Sequence, residues 1–132
     1  MTRSFSSCMA QTSFLNRPSI ELISSGDLLS NIWINRPPIP LSKVFELDVK
    51  YAGFSRQEKQ DRIALELEKS NADFQIISML DELAWLFNLR GSDIDYNPVF
   101  MGFGIIGKSI RKLFVHENKI DRALRHKLIK EG

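Results

Sequence analysis

Metal-assisted hydrolysis needs about three to five converging His, Asp, Glu or Cys ligands around one open coordination position. The chain offers two histidines, His116 and His126, ten residues apart. That spacing is not the H-E-x-x-H arrangement, which sets two imidazoles one helical turn apart. Both lie in a basic stretch that reads as an exposed helix face. Acids pair at Asp81/Glu82 and at Asp93/Asp95. The first pair falls in the first turn of a predicted helix, where carboxylates favour the macrodipole. The second stands beside Gly and Pro, where acids usually form turns. Nucleophilic catalysis needs a Ser, Cys or Thr with a base in reach. Cys8 sits in the least structured part of the sequence, and no serine occupies a G-x-S-x-G elbow. Gly102, Gly104 and Gly107 match the letters G-x-G-x-x-G, but they end one predicted strand and enter a turn instead of opening a helix. They read as sites of a bulge or of close backbone packing.

One segment gathers more polar chemistry than its surroundings. Arg90, Ser92, Asp93, Tyr96 and Asn97 crowd a loop delivered by an apolar helix. Loops held by a rigid scaffold often carry function. The plainest structural reading is an Arg90–Asp93 ion pair that closes the loop on itself.

The elements that must position this loop can be read in order. Residues 20–24 suit a short strand, and residues 27–34 a helical turn that places Trp33 on a core. Pro37, Pro38 and Pro40 then impose an extended connector. Residues 45–51 alternate as a strand. Ser55 and Glu58 form a capping box opening a helix that runs to about Asn71, with Ile63, Ala64 and Leu67 on one stripe. Residues 74–77 suit a buried strand. Ser78 and Asp81 read as a second capping box. It starts a buried helix from Met79 to about Asn88, carrying Leu83, Trp85, Leu86 and Phe87 and broken by Gly91, Ser92 and Asp93. Runs at 99–106 and 110–115 flank Gly107-Lys108-Ser109 as a hairpin. Ile120, Leu124 and Leu128 recur every fourth residue on a last helix. This order of strands and helices is that of an α/β layer domain.

Length limits the chain to one such core. No apolar run of about 18 residues is present, so no transmembrane helix is expected. The lone Cys8 excludes an internal disulfide and fits a reducing compartment. Residues 20–107 carry eight Lys/Arg against thirteen Asp/Glu, whereas residues 108–132 carry eight against three. The basic end reads as a solvated helix face, without the interleaved aromatics that single-stranded nucleic acid needs. Residues 1–19 are Ser/Thr-rich and free of acids, a composition shared by organellar transit peptides and by disordered or non-native starts.

Residues 81–93, DELAWLFNLRGSD, followed by YNPVF at 96–100, closely resemble a segment of the three-domain Xaa-Pro aminopeptidases (aminopeptidase P, peptidase family M24). Trp33 with Asn35-Arg36-Pro37 resembles the entry to that family's middle domain. SRQEKQDRI at 55–63 and the hairpin with Leu113-Phe114 fit as well. The resemblance spans about residues 20–130. It implies a creatinase/prolidase N-terminal-like α/β fold, a ribonuclease H-like mixed sheet flanked by helices, here truncated. Residues 1–19 would be a disordered or non-native start, 20–36 a remnant of the preceding domain with its linker, and 37–132 the middle domain without its final strand and helix.

The family removes an N-terminal residue ahead of proline with two divalent metals, typically manganese. These are held by two Asp, one His and two Glu of a C-terminal domain whose motifs have no counterpart here. The resemblance therefore implies no catalytic residue, metal ligand or cofactor in this chain. Its partner would be the missing catalytic domain, with peptide reached only through it, and no nucleic acid or membrane. Its compartment would be the cytoplasm, or an organelle if residues 1–19 act as a leader. Arg90, Ser92, Asp93, Tyr96 and Asn97 would then rim the active site. The competing expectation is a free-standing interaction module that kept the fold without the enzyme.

Overall fold

The computed structural model describes residues 27–29 and 31–131. The strand expected at 20–24 lies outside them. The chain divides into two compact units, Met1–Pro38 and Ile39–Gly132. In the first, short turns replace the expected helical turn. Trp33 is exposed there and not on a core, and the Arg36 guanidinium lies 5.5 Å from its ring centroid. Arg36 is also held by Asp27 at 2.5 Å.

The second unit begins with β1 (Phe45–Glu46). The strand expected over 45–51 stops after two residues because Asp48 caps a helical turn. Its carboxylate accepts the Lys50 N–H at 2.9 Å, opening α1 (Val49–Ala52). Gly53, at φ +80°, ends that turn.

Helix α2 (Arg56–Lys69) starts at the predicted capping box. The Ser55 hydroxyl accepts the Glu58 N–H, and the Glu58 carboxylate accepts the Ser55 N–H. These bonds hold the Glu58 carboxyl below its usual range. Asn71, at φ 52°, takes the left-handed conformation just past the helix end. Ile63, Ala64 and Leu67 are only half-buried, and the fully buried positions of α2 are Arg56, Lys59 and Gln60.

Strand β2 (Phe74–Ile77) falls where expected but is not buried as a whole. It lies at the edge of a sheet of order β2-β4-β5, and only Ile77 is enclosed. Helix α3 (Leu80–Phe87) begins one residue late for the second capping box. Its N-cap is Met79, with no side-chain bond. Leu83, Ala84, Leu86 and Phe87 are buried, but Trp85 faces outward. The helix ends at Asn88, ahead of the Gly91–Asp93 break. Asn88 adopts φ 51° and returns its N–H to Ala84 and Trp85 carbonyls. The turn frees β3 (Leu89–Arg90) to pair antiparallel with β1.

Strands β4 (Phe103–Gly107) and β5 (Arg111–Phe114) form the predicted hairpin, closed by the Gly107 N–H on the Ile110 carbonyl at 2.8 Å. Every pairing among the described strands is antiparallel. The glycine motif serves packing. A Cβ on Gly104 would stand 3.0 Å from Leu83 and 3.1 Å from Phe87, so the bare backbone lets α3 lie directly on β4. A 3₁₀ turn (Glu117–Lys119) leads into α4 (Arg122–Glu131). Ile120, Leu124 and Leu128 pack partly buried on the core, as their spacing predicts. That core is Val44, Ile77, Leu83, Ala84, Leu86, Phe87, Leu89, Val99, Phe100 and Ile106. The helices cover one face of the three-stranded sheet.

Candidate functional site

The loop after β3 is fixed at its base by one buried carboxylate. The Asp93 side chain is fully enclosed, and the Lys119 side chain that pairs with it is 1% exposed. The Ser42 hydroxyl and the Met101 N–H also donate to Asp93, each at 2.6 Å. Three distant pieces of chain thus meet on one side chain: the approach to β1, the loop, and the 3₁₀ turn. Burial alone drives the Asp93 carboxyl upward. Hydrogen bonds from Lys119, Ser42 and Met101 outweigh it, and the pKa settles below the ordinary carboxylate value. The Ser42 hydroxyl also accepts the Ser92 N–H at 3.2 Å.

Arg90 does not close the loop on Asp93. Its Nη1 donates instead to the Ala84 and Leu89 carbonyls, both at 2.8 Å. The C-terminus of α3 favours the contact with Ala84, since the negative end of the helix dipole attracts a cation. A second cation joins it. Lys59 is buried, and its Nζ donates to the Trp85 carbonyl at 3.0 Å and to Asn88 Oδ1 at 2.6 Å. The same ammonium lies 4.6 Å from the Trp85 ring centroid. Asn88 completes the network by donating Nδ2 to the Phe54 carbonyl at 2.8 Å. Burial, with the charge of Arg90 second, lowers the Lys59 pKa, and burial lowers that of Arg90.

The tip of the loop is different. Ile94 and Asn97 form an isolated antiparallel bridge. Between them Tyr96 is fully exposed at φ 61°. A bulky residue in the left-handed region is uncommon, and strain of that kind collects at functional sites. Of the five residues singled out from sequence, Ser92 and Asp93 belong to the clasp and Arg90 to the helix end. Tyr96 and Asn97 are presented to solvent. Lys59, Asn88 and Lys119 were missed. A lysine in the first turns of α2 looks like a surface residue, and only the apolar neighbours of Asn88 hint otherwise.

His116 and His126 are exposed, and the His116 ring accepts the Asn118 N–H at 3.3 Å as a cap of the 3₁₀ turn. Among the described residues no three His, Cys, Asp or Glu side chains converge as a metal site would require. The loop's own carboxylates do not fit such a centre, because Asp93 is committed to Lys119.

Residues 35–132 match the family described as the creatinase/prolidase N-terminal domain. The chain belongs to that family. Its curated relatives include a probable Xaa-Pro aminopeptidase P of Sordaria macrospora. That protein is 45% identical over 107 residues, or 80% of this chain and 17% of the relative. One of Coprinopsis cinerea is 44% identical over 103 residues, covering 77% and 17%. Among solved structures, an X-prolyl aminopeptidase from Caenorhabditis elegans superposes with a TM-score of 0.72 at 30% identity. The match covers 80% of this chain and 17% of that one, which is described as a cytosolic enzyme with a di-nuclear active site. The chain therefore spans about a sixth of the length of the relatives it matches. The expected α/β creatinase N-terminal-like fold is what the coordinates and this family share. No helix of the described residues is long and apolar enough to cross a membrane.

Proposed function

We propose that this chain acts as a non-catalytic domain of an Xaa-Pro aminopeptidase, with the loop at residues 90–97 forming part of the rim that controls entry of peptides. The observation that carries the reading is the build of that loop. A buried ionic clasp at Asp93 fixes its base, and a strained, fully exposed Tyr96 stands at its tip. Rigid presentation of one aromatic side chain suits contact with something outside the domain. The relatives' names and the di-nuclear site of the nematode enzyme supply the reaction: removal of the residue ahead of proline at two divalent metals, manganese in this reading. Ligands for those metals would come from the partner catalytic domain, and peptide would reach this domain only there. Nucleic acid and membrane have no part in the proposal. The cytosolic character of the nematode relative supports a cytoplasmic setting.

The test is a Tyr96→Ala change in a full-length aminopeptidase carrying this domain. Specificity for longer over shorter Xaa-Pro peptides should shift on the order of tenfold or less, the scale of one side-chain contact. Melting temperature should be unchanged. Unaltered peptide kinetics would remove the loop from the rim. Turnover of Xaa-Pro peptides by the 132-residue chain with manganese would overturn the non-catalytic role.

A further inference from the structure

Between α2, β5 and α4 lies a cavity of about 530 Å³, within the size range of small-molecule sites. Phe87, Leu113, Val115, Ile120 and Leu128 give it an apolar wall. Arg56 and Gln60 stand on its α2 side, four residues apart and so on one face of the helix. Both are buried, Arg56 to 6% exposure and Gln60 to 3%. Neither has its polar atoms filled. Arg56 Nη1 is wholly enclosed and is the one such side-chain nitrogen or oxygen without a hydrogen-bond partner among the described residues. The Gln60 amide makes no hydrogen bond among the described residues either, and it lines the cavity. A buried amide without partners is costly, so one that faces a cavity marks a place where a polar group can be received.

We propose that this cavity binds a small neutral amide whose apolar body rests on the Phe87–Leu128 wall. Charge selects a neutral ligand. Around the cavity Arg56, Arg111, Arg125 and Lys127 stand against Glu46, Asp61, Glu117 and Glu131, four charges of each sign. Arg56 is already held by Glu46 and Glu131, and Arg111 by Asp61. No surplus cation is left to offset the desolvation of a carboxylate. Hydrogen-bonding capacity selects the amide. Gln60 presents one acceptor, Oε1, and a donor group, Nε2, and a carboxamide answers both in a two-bond pair. Arg56 Nη1, one turn back, adds a further unused donor, which favours a carbonyl over an amine. The inference does not rest on the aminopeptidase reading, because the cavity shares no lining residue with the loop at 90–97.

The probes are hexanamide, hexanoate and hexanol, which carry similar apolar bodies under different heads. Each is titrated into the full 132-residue chain and followed by backbone NMR. Shifts should concentrate at α2, β5 and α4. Hexanamide should bind about fivefold or more tightly than either of the others, the scale of one net hydrogen bond. The Gln60→Leu protein keeps an apolar side chain of similar size and removes the amide. In it the preference for hexanamide over hexanol should disappear, and the melting temperature should not fall, because the amide makes no bond in the empty fold. Hexanoate binding as well as hexanamide would overturn the neutral ligand. Hexanol binding as well would reduce the site to apolar filling. Shifts elsewhere, or none up to the solubility of the probes, would leave the cavity to water and overturn the proposal. So would a preference that Gln60→Leu leaves unchanged, or a clear loss of stability in that protein.

Discussion

Replacing Lys119 with Met should unbalance the Asp93 clasp more than any surface change in the domain. Both side chains are enclosed, Asp93 completely and Lys119 to within 1%. Breaking such a pair by removing one partner costs about 3–5 kcal/mol, because the remaining charge is left in a poor solvent. Two donors stay with Asp93, the Ser42 hydroxyl and the Met101 N–H. They place the loss near the lower end, at about 3 kcal/mol. A unit of this size holds roughly 5–14 kcal/mol in all. With a urea slope of about 1.5 kcal/mol/M, the midpoint should fall by about 2 M at unchanged slope. The double change Asp93→Asn with Lys119→Met should lose clearly less than the sum of the two single changes.

Acid gives a second reading of the same pair. The folded Asp93 pKa lies below its unfolded value. Its contribution is therefore complete above the unfolded pKa and is lost as pH falls through the folded one. In the Lys119→Met protein the largest lowering partner is gone and burial pushes the carboxyl upward. The stability gap between the two proteins should then narrow as pH falls through the carboxylate range. A cost below about 1 kcal/mol, or a gap that does not move with pH, would refute the enclosed clasp.

Two further predictions address the backbone. Asn88→Ala and Asn88→Gly both remove the bonds to Lys59 and Phe54, but only Ala must hold φ 51° against its Cβ. The Ala protein should be about 1 kcal/mol less stable than the Gly protein in urea unfolding; equal losses would mean the helix end shifts to another conformation. Gly107→Ala should cost more than Gly53→Ala. A Cβ at 107 meets the Asp73 carbonyl at 2.5 Å, whereas at 53 it meets nothing and carries only the strain of φ +80°. Thermal melts separating the two by less than about 0.5 kcal/mol would show that the β2–β4 pairing yields.

What the sequence disclosed was local. The Ser55 capping box, the αL stop at Asn71, the hairpin around Gly107 and the four-residue spacing in α4 all depend on neighbours in the chain, and all are present. The misreadings have one cause. Residues 45–51 alternate, but Asp48 offers a local cap that outcompetes strand pairing. The Ser78–Asp81 signature is present in letters, but the helix enters one residue late. At the candidate site the loop was legible as polar and crowded, but not its wiring. Arg90 and Asp93 look like a pair at three residues' distance. In the fold each finds a better partner: the Ala84 and Leu89 carbonyls for one, and a lysine 26 residues onward for the other.

The same competition explains the charge asymmetry between the middle and the end of the chain. The basic end does not wait for an acidic or nucleic partner at its pairing positions. Lys108 meets Glu68, Arg111 meets Asp61, Lys119 meets Asp93 and Lys127 meets Glu46, each an acid of the preceding region. Glu131 returns the exchange by pairing with buried Arg56 at 3.1 Å. Three of the four Lys/Arg-to-acid contacts lie at partly exposed positions, where each contributes little to stability. Their value lies in register, because a slip of β5 or α4 by one residue would separate several pairs at once.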